Sequence, residues 1–249
     1  MPAHTTETLF IGKGFHHRAD IDSTNLELAR MLTSRPLPEG TVVRAGHQSR
    51  GKGQLGRSWK GAPGMNLYLS VLLYPRFLSL SKHFLFNMAI GLAQLDCLSR
   101  FLPEADLRLK WPNDLLANDH KIAGTLIQNT WQQQKWKHSI VGIGLNVNQP
   151  AFPEDLPRAT SMYKIAGKPF SLEQVMRTLF VCLEHRYLAL KNGQYPTLFA
   201  DYQSALYQKE QLASLRDEAG RNFRATIEGV NLNGKLQVRM PHGESHLPV

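Results

Sequence analysis

Positive charge and glycine are concentrated in one short stretch of this 249-residue chain, residues 46–59. Its cations and glycines alternate closely, as Arg50, Gly51, Lys52, Gly53, Gly56 and Arg57. Glycine backbone turns either way and approaches a ligand closely, and free amide groups beside cations suit an anion. The stretch therefore predicts a loop that binds phosphate or another anion, although a solvated basic turn has the same composition.

Two familiar phosphate-binding motifs match this stretch, and its surroundings exclude both. Residues 46–52 start like a Walker A loop, but Gly53 stands where that motif needs Ser or Thr for magnesium. Residues 51–56 have the spacing of a dinucleotide-binding loop, which must open a helix at its last glycine. Residues 57–64 are turn-forming and residues 65–73 alternate with a period of two, so we predict a strand, a glycine loop and a strand.

Polar residues also follow a predicted strand at 107–111. Asn113 and Asp114 come after the proline that ends this strand, and such a pair is typical of a turn because both side chains bond to nearby backbone. A ligand site and simple turn chemistry therefore remain alternatives here. Lys121 opens the next predicted strand, 120–128, and a lone lysine is usually solvated.

The run 139–148 has two unlike faces. From residue 141 onward its odd positions are aliphatic, whereas its even positions form a flat surface of glycines that ends in two amides: Gly142, Gly144, Asn146 and Asn148. Glycine weakens a strand unless something must approach it closely. We therefore expect a ligand or another backbone against this surface.

A polar tetrapeptide at residues 22–25 precedes a predicted helix at 26–33. Thr24 and Glu27 have the spacing of a capping box, so these residues could simply start the helix. The free amide groups of a helix N-terminus also accept an anion or a carbonyl oxygen, so both interpretations are compatible.

The remaining pattern predicts the elements that position these residues. We expect a strand at 41–45, helices at 84–100, 172–190 and 195–208, and short strands around 223–227 and 235–240. The last two strands are joined through an Asn-Gly pair, which is a strong hairpin signal. They predict a small β appendage in which about three strands are visible.

The composition is that of a globular protein with one large domain and room for a small appendage, since 42% of residues are hydrophobic and 20% are charged. No segment has the ~20 continuous apolar residues of a membrane span. The N-terminus lacks the pattern of a secretory signal, so we expect a cytoplasmic protein without a membrane partner.

A net charge of +9 would suit nucleic acid, an acidic protein or a phosphorylated substrate. Outside the glycine loop the basic residues are scattered, and no helix-turn-helix spacing is present, which argues against DNA. Cys97 and Cys182 lie in predicted amphipathic helices, where we expect buried free thiols rather than a disulfide or a metal site.

Five motifs, in order along the chain, resemble the biotin protein ligase family. They are Asp22–Asn25, Gly51–Arg57, Lys110–Asp114, Lys121–Gly124 and Gly142–Val147. The resemblance implies an α+β fold: a mixed-sheet catalytic domain of the biotin/lipoate ligase type, like that of class II aminoacyl-tRNA synthetases, over residues 1–206. A small SH3-like β-barrel, with its last strand missing from the pattern, would follow over 207–249.

The resemblance also implies a reaction. Such enzymes form biotinyl-5′-adenylate from biotin and Mg-ATP, and then transfer biotin to a lysine of a biotin carboxyl carrier protein domain of acetyl-CoA carboxylase. Lys121 and Lys52 would be catalytic. The implied biotin contacts are Ser23, Thr24, Asn25, Gln48, Gly51, Lys52, Gly53, Gln54, Lys121, Gly124, Gly142 and Gly144.

Expected contacts to ATP or the adenylate are Arg50, Lys52, Arg57, Trp59, Asn113, Asp114, Lys121 and Asn146. Among them, Trp59 matches a tryptophan that stacks on adenine, and Arg50 is included because it could contact a phosphate from the other side of the loop. The magnesium ligands are not implied.

The chain departs from the family pattern in three respects. Lys52 and Gln54 stand where the family loop has arginines, and the appendage is short. The chain also begins too close to Asp22 for the N-terminal DNA-binding domain of some members, so we expect a monomer or homodimer that is not a repressor and has no DNA partner.

Two other functions remain as alternatives. A lipoate or octanoate ligase of the same superfamily would use lysine and glycines similarly. A basic nucleic-acid-binding module would suit the charge and the small barrel, but Phe223 is the only aromatic residue after Tyr207, so the stacking platforms of such modules are absent.

Overall fold

The computed structural model describes residues 8–133, 135–217 and 219–241. Its main feature is a sheet of seven strands in the order β1-β2-β3-β7-β6-β5-β4. The strands are β1 Phe15–Ile21, β2 Val42–Gln48, β3 Leu67–Leu73, β4 Leu107–Lys110, β5 Asp114–Ala117, β6 His120–Gln132 and β7 Lys135–Leu145. Only β1 and β2 pair in parallel, and the other pairs are antiparallel. The sheet is therefore mixed, as predicted.

Helices cover both faces of this sheet. They are α1 Thr24–Ser34, α2 His83–Ser99, α3 Met162–Ala166, α4 Leu172–Lys191 and α5 Tyr195–Ala205. Helices α2, α4 and α5 pack together, and α2 lies against β4 and β5, whereas α1 lies against β2, β3 and β7. Two hydrophobic clusters of buried residues result, a large one that includes Val71 and Phe86 and a small one around Leu28 and Leu72.

Strand β3 is buried on both faces. The sequence pattern assigns its apolar residues to one face, but every residue from Leu67 to Leu73 is buried. Its odd positions join the large cluster and Leu72 joins the small one, because helices cover the sheet from both sides. Central position and double burial explain why this strand is almost wholly apolar.

Two strands of the seven-stranded sheet are absent from the sequence-based prediction. β1 is an edge strand in which all seven residues are half-buried or exposed, so its sequence shows no hydrophobic alternation. β5 begins at Asp114, where the polar pair suggested a turn. The turn precedes it: β4 and β5 form a hairpin in which Lys110 is paired with Asp114, and the Trp111–Pro112 peptide bond within the turn is cis.

The C-terminal appendage is a second, three-stranded antiparallel sheet in the order β10-β9-β8. Its strands are β8 Leu212–Arg216, β9 Asn222–Val230 and β10 Leu236–Arg239, and the Asn-Gly turn lies between the last two as predicted. The SH3-like barrel is not confirmed by these strands, and residues 242–249 of the predicted appendage lie outside the described residues. The division at residue 206 stays a prediction.

The described residues contain no helix that is long and apolar enough to cross a membrane. Cys97 and Cys182 are buried free thiols, as expected. Burial raises the pKa of the Cys97 thiol well above its usual value, so this sulfur stays protonated at neutral pH.

Candidate active site

A cavity of about 420 Å³ lies where the glycine loop faces strands β4 to β7. It brings together most of the residues that the sequence singled out. Those that line it are Ser23, Thr24, Asn25, Gln48, Lys52, Gly53, Gln54, Arg57, Trp59, Asn113, Asp114, Lys121, Gly124, Gly142 and Gly144.

Three of the expected residues do not line the cavity. Arg50 is largely exposed, and its guanidinium lies 3.8 Å from the Asp22 carboxylate. Gly51 lies within the loop beside Trp59, where a Cβ would come within 2.5 Å of the Trp59 carbonyl oxygen, so the missing side chain allows close packing inside the loop. Asn146 is buried, and its Nδ2 donates to the Thr160 carbonyl at 2.9 Å.

The glycine loop folds back on itself as a small hairpin. Trp59 N–H donates to the Gly51 carbonyl at 2.9 Å, and Gly53 N–H donates to the Arg57 carbonyl at 2.7 Å. Between them is a single 3-10 turn, residues 54–56, rather than a helix. The rejection of the dinucleotide-binding motif is therefore confirmed, and the hairpin holds the Lys52 and Arg57 side chains at the cavity.

At one end of the cavity, polar groups from four elements, α1, β2, β3 and β6, form a hydrogen-bonded network, in which Thr24, Asn25 and Ser70 are buried. Thr24 N–H donates to Gln48 Oε1 at 2.7 Å, and the Ser70 hydroxyl lies 2.7 Å from Thr24 Oγ1 and 2.5 Å from Asn25 Oδ1. Asn25 Nδ2 donates to Gln128 Oε1 at 2.9 Å. Because these groups hold one another in place, this end is suited to a neutral ligand with several hydrogen-bonding atoms.

The capping box predicted at the start of α1 is wrong. Ser23, not Thr24, is the N-cap, and its side chain makes no capping bond. The Glu27 carboxylate instead accepts hydrogen bonds from Arg18 and Arg30. The amide group of Thr24 is satisfied by Gln48 from β2, a partner that a local motif cannot reveal.

Beside this network, Arg30 donates to the Asp22 carboxylate at 2.9 and 3.0 Å. These bonds hold the pKa of Asp22 well below its usual range, so this carboxylate is ionised at neutral pH.

Side chains of the glycine loop and α1 approach the glycine surface of β7 closely, and Gly142 and Gly144 also line the cavity. A Cβ on Gly144 would meet three atoms of the Trp59 indole at 2.4 to 2.8 Å, and one on Gly142 would meet Asn25 Oδ1 at 2.3 Å. Gly124 on β6 likewise faces the indole at 2.8 Å. The missing side chains let the loop and α1 approach the sheet closely.

Lys121 points into the cavity, where its ammonium nitrogen lies 2.6 Å from Asp114 Oδ1 and 5.4 Å from the centre of the Trp59 ring. Its backbone is fixed as well, since Lys121 N–H donates to the Arg158 carbonyl at 2.6 Å and its own carbonyl accepts from Thr160 N–H at 2.9 Å. Lys121 is therefore a held and partly buried cation rather than a solvated surface lysine.

Asn113 uses its side chain across the sheet rather than within its own turn. Its Nδ2 donates to the Thr125 carbonyl at 2.8 Å, and its carbonyl accepts from Thr125 N–H at 3.0 Å. These two bonds tie the β4–β5 turn to β6, and thereby place Asp114 against Lys121.

Positive charge dominates the described lining of the cavity. Four cationic side chains line it, from Lys52, Arg57, Lys110 and Lys121, against the one carboxylate of Asp114. The same cavity would accommodate an anionic ligand at the end with these cations and a polar ligand at the end with the Thr24–Gln48 network.

Sequence reasoning assigned no role to Lys110, Trp111, Pro112 or Leu156, which also line the cavity. The first three belong to the motif Lys110–Asp114, and their position at the end of a strand was the signal that could have placed them at the site. Leu156 lies in a proline-rich loop that is brought over the cavity only by the pairing of residues 158–160 with Lys121. No local pattern indicated it.

Comparison with known proteins identifies relatives of this chain. A sequence profile of the Biotin/lipoate A/B protein ligase family matches residues 18–146. The chain is 32% identical over 189 residues to the biotin–[acetyl-CoA-carboxylase] ligase of Mycobacterium tuberculosis, with 75% of this chain and 68% of the relative covered. It is 31% identical over 171 residues to the bifunctional ligase/repressor BirA of Bacillus subtilis, with 68% and 52% covered.

The chain thus spans about half the length of the BirA relatives that it matches. Among solved structures, the biotin protein ligase from Aquifex aeolicus in complex with biotin and ATP is similar over 93% of this chain and 94% of that chain. The TM-score is 0.78 and the sequence identity is 26%.

Proposed function

The chain belongs to the biotin/lipoate A/B protein ligase family, and from this premise we propose that it is a biotin protein ligase that activates biotin with ATP. The observation that carries the proposal is the single cavity in which the polar network around Thr24 and Gln48, the Lys121–Asp114 pair and the cationic glycine loop meet. A lone basic turn would not bring a neutral polar pocket and a held lysine together.

In the first step, a carboxylate oxygen of biotin attacks the α-phosphorus of ATP. A phosphorus–oxygen bond forms, the bond to the bridging oxygen breaks, and pyrophosphate leaves with that electron pair. Because two anions must meet, positioning and cations aimed at the developing charge supply most of the catalysis. No proton needs to be transferred in this step.

The polar end of the cavity would hold the ureido ring of biotin. Thr24, Gln48 and Ser70 already hold one another in fixed orientations, so the ligand would meet an organised set of donors and acceptors. This placement directs the biotin carboxylate away from α1 and toward Lys121.

Lys121 would stabilise the charge that develops on the α-phosphate. Its ion pair with Asp114 fixes the ammonium at one position without surrounding it, since 36% of the lysine side chain remains exposed. The glycine hairpin would add Lys52 and Arg57 and shield the mixed anhydride from water.

Magnesium would arrive with the triphosphate. No group of three or more His, Cys, Asp or Glu side chains suited to a metal occurs in residues 8–133, 135–217 and 219–241. A site with the single carboxylate of Asp114 in its described lining fits Mg²⁺, which is commonly held by one or two carboxylates together with phosphates and waters. The ion would neutralise phosphate charge.

In the second step, the amine of an acceptor lysine attacks the acyl carbon of biotinyl-5′-adenylate. An amide bond forms, AMP leaves, and the amine loses a proton to solvent. We propose that the acceptor is a biotin carboxyl carrier protein domain of acetyl-CoA carboxylase.

Exchange of labelled pyrophosphate into ATP on the purified protein tests the proposal. Exchange should require biotin, and lipoate should not replace it. Exchange that lipoate supports and biotin does not would contradict the proposal and favour a lipoate ligase. A second assay should then show transfer of biotin to a purified carrier domain but not to a carrier domain whose acceptor lysine is replaced by arginine.

A further inference from the structure

Lys110 lies at the outer end of the cavity, on the last residue of the edge strand β4. Its side chain is exposed to solvent and also lines the cavity. Arg108, two residues earlier on the same face of the strand, points elsewhere: it is paired with Asp106 at 2.7 Å and does not line the cavity. Lys110 is thus the one basic residue of β4 that lines the cavity.

Asp114 is the natural partner of Lys110, because the two residues face each other across the β4–β5 hairpin. Its carboxylate is instead engaged by Lys121, at 2.6 Å. No ion pair or hydrogen bond of the Lys110 ammonium occurs within the described parts of the chain. The carboxylate therefore neutralises one lysine and leaves the charge of the other available to a ligand.

The two lysines are also separated across the sheet. Lys121 lies on β6 and Lys110 on β4, with β5 between them. Neighbouring strands are about 4.8 Å apart, and the residue level with Lys110 on β6 is Gly124 rather than Lys121, so more than about 10 Å separates the two lysine backbones. Cations spaced in this way suit an anion that is longer than one phosphate group.

We propose that Lys110 binds the β- and γ-phosphates of ATP, and equally the pyrophosphate that leaves. The inference rests on the proposed function, in which Lys121 takes the α-phosphate. Lys110 would hold the leaving group in line with the attacking carboxylate and stabilise the charge that it gains. Once pyrophosphate has left, Lys110 has no contact with the adenylate.

The test compares Lys110→Ala and Lys110→Arg with Arg108→Ala, which removes the same charge from the same strand outside the cavity. Lys110→Ala should raise the KM for ATP and for pyrophosphate in the exchange reaction by about 10-fold, the effect of one charge-assisted hydrogen bond. Lys110→Arg should recover most of this loss, and Arg108→Ala should stay near the wild type.

Three further measurements separate this role from others. Biotin affinity, dissociation of preformed biotinyl-5′-adenylate and its transfer to the carrier domain should be unchanged in Lys110→Ala, because none involves the β- or γ-phosphate. A slower transfer would assign Lys110 to the acceptor and overturn the proposal. So would a KM for pyrophosphate equal to that of the wild type.

Direct titration with magnesium pyrophosphate keeps the two proposals apart. Binding that weakens about 10-fold in Lys110→Ala, in a protein that shows no biotin-dependent exchange, would support the phosphate site and contradict the biotin ligase function. Failure of the wild-type protein to bind pyrophosphate would overturn the Lys110 site itself.

Discussion

The Asp114–Lys121 ion pair is the contact on which the proposed chemistry of the cavity depends. It is neither a surface pair nor a buried one, since 36% of the lysine side chain and 21% of the aspartate side chain are exposed. Because more than a third of the lysine side chain is in water, solvent screens the pair, and its contribution to stability is small, about 0 to 1 kcal/mol as for exposed pairs. Its value is positional, because the carboxylate and the backbone bonds of Lys121 fix where the ammonium stands.

Replacing Lys121 by alanine should therefore damage catalysis far more than folding. We expect the adenylation rate to fall about 100- to 1,000-fold, which corresponds to roughly 3 to 4 kcal/mol of transition-state stabilisation from one well-placed polar group. The melting temperature should change little. Pyrophosphate exchange and thermal unfolding of the same preparation measure both.

Lys60→Ala is the matched control for this variant. Lys60 also forms an ion pair at 2.6 Å, with Asp155, but both side chains are more than half exposed and neither lines the cavity. Its loss should leave adenylation near the wild-type rate. Equal rates for Lys121→Ala and the wild type would mean that Lys121 is an ordinary surface charge and that the site is misplaced.

At the scale of elements, the glycine hairpin and the sheet are fitted to each other through Trp59. The indole lies over Gly144 and Gly124, and Gly64 N–H donates to the Gly46 carbonyl at 3.0 Å where the loop returns toward β3. The glycines of β7 thus position the loop that carries Lys52 and Arg57.

Gly144→Ala should displace the hairpin. The new methyl group would lie 2.4 to 2.8 Å from three indole atoms, which is closer than carbon atoms can approach. We expect a lower free energy of unfolding, by about 1 to 3 kcal/mol as for other overpacked sites, and slower adenylation. Urea unfolding of Gly144→Ala, Trp59→Ala and the double variant would measure the coupling of the two residues.

The coupling is the decisive quantity. If the methyl group clashes with the indole, Trp59→Ala should relieve most of the cost of Gly144→Ala, with a coupling of about 1 kcal/mol or more. Gly91→Ala is the control, because its methyl group would meet Leu109 at an ordinary 3.4 Å and should stabilise helix α2 by about 0.5 to 1 kcal/mol. Additive effects of Gly144→Ala and Trp59→Ala would show that the indole does not lie on Gly144 in solution.

These elements also show how far sequence reasoning reaches. The order of strand, glycine loop and strand, helices α2 and α4 and the Asn-Gly hairpin follow from local patterns, and the structure confirms them. Strand β1 was missed because a polar edge strand lacks alternation. The capping box failed because Gln48, distant in sequence, takes the amide group of Thr24. The packing of Trp59 and Asn25 on the β7 glycines and the pairing of Lys121 with Asp114 both depend on contacts between elements, which local sequence patterns do not reveal.

At the scale of the whole molecule, the appendage and the catalytic part share one hydrophobic cluster. Buried residues of the second sheet, such as Ile227 and Val238, belong to the same cluster as Phe86 in α2. Polar contacts cross the same boundary, since Trp111 Nε1–H donates to the Gly234 carbonyl at 2.9 Å. The β9–β10 turn therefore supports the residue that precedes the Pro112 turn of the cavity.

This continuity predicts that residues 8–241 unfold in a single cooperative transition, although the sequence suggested two domains. Differential scanning calorimetry should give a calorimetric enthalpy equal to the van't Hoff enthalpy. Trp111→Phe removes the indole N–H that bonds to Gly234 and should lower the stability of the whole by about 0.5 to 1.5 kcal/mol. It should lower the one melting temperature without splitting the transition.

Two separate transitions, of which only one shifts in Trp111→Phe, would instead support an appendage that folds independently. Gly234→Ala is a second probe of the same boundary, because this residue has a φ of +83° and its added methyl group would lie 2.4 Å from the Phe84 ring. The substitution would therefore strain the backbone of the β9–β10 turn and would also push on Phe84, which belongs to α2. If the boundary is a shared core, the variant should destabilise both parts equally; if it is a loose contact, the turn should move away and the main transition should stay where it is.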